Sequence, residues 1–401
     1  MTKPGGLFGA AIVLYFVIAL EVLIMISPFA AFFYAAFNPV LLWFAHGSAT
    51  RWLAAFFLPH MVLPPGVFLK AVRVAGSVLF VAGAAIFMGC AVQVYFHKFF
   101  RRGPALGGLY RWIRHPQYLA LGATGLGLAI LWPRFLTIVL WAVMIVLYYF
   151  LARDEERRMV KQFGDRYRQY MTRTGMFFPQ GLAQAADRLP FPHSRVLRPL
   201  FGFVLLFALA IGGAFALRVY TVARLPLWSQ GRITALAILP GDSVMLEHRM
   251  DALVELPEIR YRLERISGPV LVYVIPQQYI MQGMIADTGP QWRLYKHHQT
   301  LGMIVDWIFH PFRHLQGGHM MHHDGVGTPA TTTAPGSTIR RLIFLGIDAP
   351  RSSNTPRLIF GINAARIPQF FVDVNMHNLA LLDIHSLGPG TGWGRVPTPM
   401  F

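Results

Sequence analysis

The sequence predicts an α-helical integral membrane protein with about five transmembrane helices and a C-terminal β-rich or α+β extramembrane domain. Three observations lead there. The 401 residues are 55% hydrophobic and only 13% charged, against about 25% charged in an ordinary soluble domain. Long apolar runs crowd the chain before residue 224, and polar residues return after it. The basic excess is just as uneven: of the net +18, residues 1–223 carry +15 and residues 224–401 carry +3. Lys and Arg that flank long apolar segments set topology and attract anionic headgroups. No nucleic-acid motif accompanies them, so membrane lipids are the expected partner and nucleic acid is not.

Residues 1–69 are read as an N-terminal transmembrane region and loop. The run at 7–27 is long enough to cross a ~30 Å hydrocarbon core at ~1.5 Å per residue, and it holds an intramembrane carboxylate, Glu21. Residues 28–43, between Pro28 and Pro39, are short for a span and read equally as a kinked or re-entrant piece. Residues 51–66, with Pro59, Pro64 and Pro65, read as a loop. The run at 72–96 is a clear span, and Lys98, Arg101, Arg102, Arg111 and Arg114 at its exit place that end in the cytoplasm by the positive-inside rule.

Residues 118–131 and 135–151 then form a helical hairpin turned at Trp132-Pro133-Arg134, leaving and returning to the same face. Residues 154–172 carry Met159, Phe163, Tyr167 and Tyr170 or Met171 at the spacing of an amphipathic helix, with Gly164 as a point where it can break. The final span is 196–217, so residues 224–401 emerge on the opposite, periplasmic side if the membrane is a bacterial inner membrane. Within them, the β-branched run 270–275 reads as a strand. The near-repeat of 341–347 and 357–362 suggests a strand pair, and 325–337 reads as a loop.

The chemistry-bearing stretch is Arg114-His115-Pro116-Gln117-Tyr118, at the mouth of the hairpin, followed by Gly122, Gly125 and Gly127. Pro116 suits a helix start, because its missing N–H costs nothing in the first turn. On the other arm come Glu155 and Glu156 and then Phe163-Gly164-Asp165-Arg166-Tyr167-Arg168-Gln169-Tyr170. Taken singly, an Arg and a His at a basic helix mouth serve topology, and a Glu pair before two Arg residues is a solvated helix turn. The hairpin, however, returns both clusters to one membrane face.

In this order and spacing, residues 107–179 resemble the isoprenylcysteine carboxyl methyltransferase and phospholipid methyltransferase superfamily, with Ala120 standing where many members have Gly. The resemblance implies a methyltransferase-like core over about residues 70–180, with 181–223 as a final helix and its lead-in. It further implies S-adenosylmethionine as methyl donor and a lipophilic methyl acceptor that enters from the bilayer. Catalytic roles then fall to Arg114 and His115, and cofactor contacts to His115, Tyr118, Gly125, Glu155 and Glu156. The donors among them suit a carboxylate and the acceptors an ammonium or hydroxyls.

The other dense group is His310, His314, His319, His322, His323 and Asp324, imidazole-rich but matching no zinc spacing, so it is a weak metal candidate. Cys90 is the one cysteine and sits in an apolar segment, which leaves no disulfide framework. A competing reading takes the chain as a structural subunit of a larger membrane complex that keeps the methyltransferase scaffold and docks other membrane subunits through residues 224–401. Its basis is the loop-rich, Pro/Gly-rich character of that region.

Overall fold

The computed structural model describes residues 44, 47–59, 66–100, 103–182, 194, 197–277, 338–348, 359–362 and 364–387. The expected span at 7–27 with Glu21, the stretch 28–43, the histidine group at 310–324, the loop 325–337 and the tail 388–401 lie outside these described residues. The chain divides into two compact units, Met1–Phe37 with Ala71–Phe215, and Asn38–Lys70 with Ala216–Phe401.

Three helices and most of two others build the first unit. Helix α1 (Val67–Phe99) contains the predicted span 72–96 and ends on His97 and Lys98. Helix α2 (Pro116–Leu131) and helix α3 (Phe135–Phe163) are the predicted hairpin. Helix α4 (Asp165–Arg173) follows the break at Gly164, whose φ of 55° suits a residue without a side chain. Helix α5 (Leu197–Arg224) contains the predicted final span. Among the described residues, α1, α3 and α5 are long and apolar enough to cross a membrane. At 16 residues α2 is about 24 Å long, short of the ~30 Å core. Three of the roughly five expected spans are therefore found among the described residues.

Small residues let α1 and α2 approach closely. A Cβ on Gly83 would stand 2.8 Å from the Ala120 carbonyl, and one on Gly127 would stand 2.6 Å from the Gly76 carbonyl and collide with the Phe80 backbone. Such contacts are how membrane helices gain packing energy when lipid is as apolar as Leu. The Trp141 indole of α3 donates to the Gly122 carbonyl at 2.8 Å and ties α3 to α2.

The second unit is a six-stranded mixed sheet in the order β1 (Leu227–Gln230), β2 (Ile233–Ala237), β3 (Val270–Pro276), β4 (Ile339–Asp348), β5 (Ala365–Asn375), β6 (Ala380–Ser386). Only β2 and β3 run parallel, joined by helices α6 (Pro240–Val254) and α7 (Pro257–Glu264). Ala235, Val272, Val274, Leu342, Phe344 and Val372 face Leu246, Met250, Leu253, Ile259 and Leu263 of the two helices in one core. Strand β3 is buried along its whole length, hence its unbroken apolar run rich in β-branched residues. The predicted strand pair is corrected in one respect: β4 pairs with 365–375, and Ile359 and Phe360 of the second near-repeat lie outside any strand. The Pro-rich sequence before residue 359 hides where extension resumes.

Candidate active site at the mouth of the helical hairpin

His115 precedes helix α2 with φ −127°, and Pro116 takes the first helical position. Just before them the backbone runs alongside the segment after α4. Arg114 N–H donates to the Gly175 carbonyl at 2.9 Å and His115 N–H to the Met176 carbonyl at 3.1 Å, beside a parallel bridge between Ile113 and Gly175. A side chain at Gly175 would collide with the Phe178 carbonyl, so the strap requires glycine there. Tyr170 of α4 donates to the Tyr110 carbonyl at 2.5 Å and fastens the helix to the loop before α2.

This frame brings Arg114, His115, Tyr118, Glu155 and Glu156 together. Arg114 Nε donates to Glu156 Oε1 at 2.5 Å. Its Nη1 donates to the Met171 carbonyl at 3.1 Å and also to that of Thr174, which satisfies the open C-terminal end of α4. His115, 1% exposed, has Nδ1 3.5 Å from Glu155 Oε2 and Nε2 3.3 Å from Glu156 Oε1. Tyr118 donates to Glu155 Oε2 at 3.3 Å. The Glu155 side chain is 36% exposed while that of Glu156 is 10% exposed, so one carboxylate opens outward and the other is held inside.

Burial pushes the His115 imidazole down, but the hydrogen bonding and negative charge of Glu155 and Glu156 outweigh it and raise its pKa above the ordinary value. Burial raises the Tyr110 and Tyr167 phenols well above their usual range and takes Tyr170 up to about 12, so all three stay protonated.

The sequence missed several neighbours. The Tyr118 ring stacks between His115, at 5.6 Å, and Tyr148, at 5.1 Å, and Phe177 lies 6.0 Å from His115. The Tyr148 hydroxyl and Gln117 Oε1 are buried without a hydrogen-bond partner among the described residues. Tyr148 precedes Glu155 by seven residues, two turns on one helix face, which is a readable signal. The strap through Gly175 and Met176 is made by backbone, so Gly175 alone marks it in the sequence.

Gly125 is not among these neighbours: a Cβ there would meet Met144 Cε at 2.6 Å and Trp141 Cδ1 at 3.1 Å, so its missing side chain makes room for α3. The metal candidates His310, His314, His319, His322 and His323 lie outside the described residues, and no metal-capable group of three or more His, Cys, Asp or Glu occurs among the described ones.

The cluster suits a zwitterionic cationic ligand such as S-adenosylmethionine. An outward carboxylate can receive an ammonium or hydroxyls, and the orphaned polar atoms of Gln117 and Tyr148 leave hydrogen-bonding capacity inside. No curated protein and no solved structure matches the chain. Residues 67–166, from the start of α1 to the first turn of α4 and so including Arg114, His115, Glu155 and Glu156, match the family model for phospholipid methyltransferase, in agreement with the isoprenylcysteine and phospholipid methyltransferase superfamily.

Proposed function

We propose that the chain is a membrane-embedded, S-adenosylmethionine-dependent methyltransferase acting on a small lipophilic acceptor. The observation that carries this reading is the convergence of Arg114, His115, Tyr118, Glu155 and Glu156 at one end of a hairpin that lies within the family match. S-adenosylmethionine, when bound, supplies a methyl group activated by a sulfonium. Glu155 and Glu156 hold its ammonium and hydroxyls, and Tyr118 orients Glu155.

Arg114 works by position. Its guanidinium is engaged by Glu156 and by the end of α4, so it locks the outer helix across the mouth and keeps water from the buried side of the cluster. His115, with its raised pKa, holds a proton between the two carboxylates and acts as a donor there. Methyl transfer asks the protein mainly for alignment and dryness, and the close-packed hairpin with its aromatic stack supplies both.

The same reading places the motif on the cytoplasmic face of a bacterial inner membrane, on the strength of the basic residues at the α1 exit. The test uses membranes containing the full chain, incubated with methyl-labelled S-adenosylmethionine and extracted into organic solvent. The expected result is labelled lipid that falls at least tenfold in Glu156→Ala, as loss of one strong contact would give. Label absent from the extract of wild-type membranes contradicts the acceptor class.

A further inference from the structure

Buried and part-buried arginines in the C-terminal unit come in two kinds. Arg340 and Arg341 are neighbours on β4, and each is forked onto an aspartate, Arg340 with Asp242 at 2.8 and 2.9 Å and Arg341 with Asp373 at 2.7 and 2.6 Å. Arg366, on the adjacent strand β5, is different. Its Nη2 donates to the Ile359 carbonyl at 3.2 Å and its guanidinium lies 5.9 Å from the Phe360 ring. Its Nε is buried without a hydrogen-bond partner, and no carboxylate pairs with it among the described residues.

A second cation converges on the same turn. Arg218 of α5 donates to the Phe360 carbonyl at 2.5 Å and to that of Phe56, and its charge repels that of Arg366. The buried Tyr273 hydroxyl interacts electrostatically with both. The Ile359 carbonyl solvates the Arg366 guanidinium but does not neutralise it, and enclosing such a charge without a counter-ion is costly. Burial accordingly pushes the Arg366 guanidinium below its ordinary pKa.

We propose that Arg366, with Arg218 beside it, forms a binding site for a phosphate group in the C-terminal unit. The free Nε of Arg366 gives one arm of the planar fork that suits phosphate oxygens. The place in the fold fits a lipid headgroup. Arg218 lies six residues from the end of α5, about 9 Å along its axis. Tyr220 and Arg224, stacked at 5.4 Å, mark the aromatic and basic belt that membrane helices carry at headgroup level.

The experiment takes the full chain, delipidated in a maltoside detergent that carries no phosphate, and follows its melting temperature and bound phosphorus. Phosphatidylglycerol or inorganic phosphate is expected to raise the melting temperature of the wild type. A shift with the lipid alone assigns the headgroup, and a shift with both assigns the phosphate group itself. In Arg366→Gln the shift is expected to vanish and the phosphate-free melting temperature to hold or rise. Phosphorus retained through delipidation counts as occupancy, and supports the site if Arg366→Gln loses it. A phosphorus-free wild type that responds to neither probe overturns the proposal, as does a full response or full retention in Arg366→Gln. If that variant does not fold, Arg366→Lys decides: about tenfold weaker binding supports the fork, and unchanged binding overturns it.

Discussion

Arg114 Nε meets Glu156 Oε1 at 2.5 Å, and through the same guanidinium the carbonyls that end α4 are satisfied. One side chain thus joins the motif before α2, the carboxylate pair of α3 and the helix that follows. Arg114→Lys keeps the charge but not the fork, and charge-assisted hydrogen bonds of this kind are worth about 2 kcal/mol each. Hydrogen exchange is expected to speed up across residues 165–176 in that variant, with α1 unchanged.

The pH dependence follows from His115. Its pKa is raised in the folded protein, so the stabilisation from the imidazolium between Glu155 and Glu156 is complete below the ordinary value of 6.5 and is lost as pH rises through the folded value. Melting curves of wild type and His115→Gln between about pH 5 and pH 9 should therefore lie furthest apart at the acid end and converge toward the alkaline end. Curves that diverge with rising pH contradict the assignment of His115 as a held cation.

Tyr148 lends itself to a subtraction. Its hydroxyl is buried at a residue 1% exposed and has no hydrogen-bond partner among the described residues, while its ring stacks on Tyr118. An unsatisfied buried hydroxyl costs on the order of 1 kcal/mol or more, and Tyr148→Phe removes it while keeping the ring. The ligand-free melting temperature should rise. A fall would mean that the hydroxyl bonds something in the folded protein.

In the C-terminal unit, Arg341 and Asp373 are cross-strand partners and both are buried. Removing one partner leaves an uncompensated buried charge, costing about 3–5 kcal/mol, whereas replacing both with apolar residues costs much less. A double-mutant cycle of Arg341→Met and Asp373→Leu should show that the double variant is more stable than either single one.

Much of this was legible in the sequence. The spans within α1, α3 and α5 announce themselves by length and hydropathy, and Arg114, His115, Tyr118, Glu155 and Glu156 by their order across the hairpin. Gly125 is less legible, because a glycine beside a motif reads alike whether it admits a ligand or a neighbouring helix, and Met144 and Trp141 stand where its Cβ would project. The strap from Gly175 and Met176 was hard to read because its backbone hydrogen bonds leave only Gly175 as a residue signature. The sheet was harder still. The β2–β3 pair is parallel across a helical crossover, and only β3 carries a run apolar enough to stand out.

In the proposed function, Glu155 and Glu156, held by Arg114, His115 and Tyr118, receive S-adenosylmethionine. Titration calorimetry of the full chain with S-adenosylmethionine measures it most directly. Saturable heat at one site per chain, abolished by Glu155→Gln with Glu156→Gln while the fold is retained, is the expected result. The absence of binding heat from folded wild-type protein, or binding unchanged in the double variant, would contradict it.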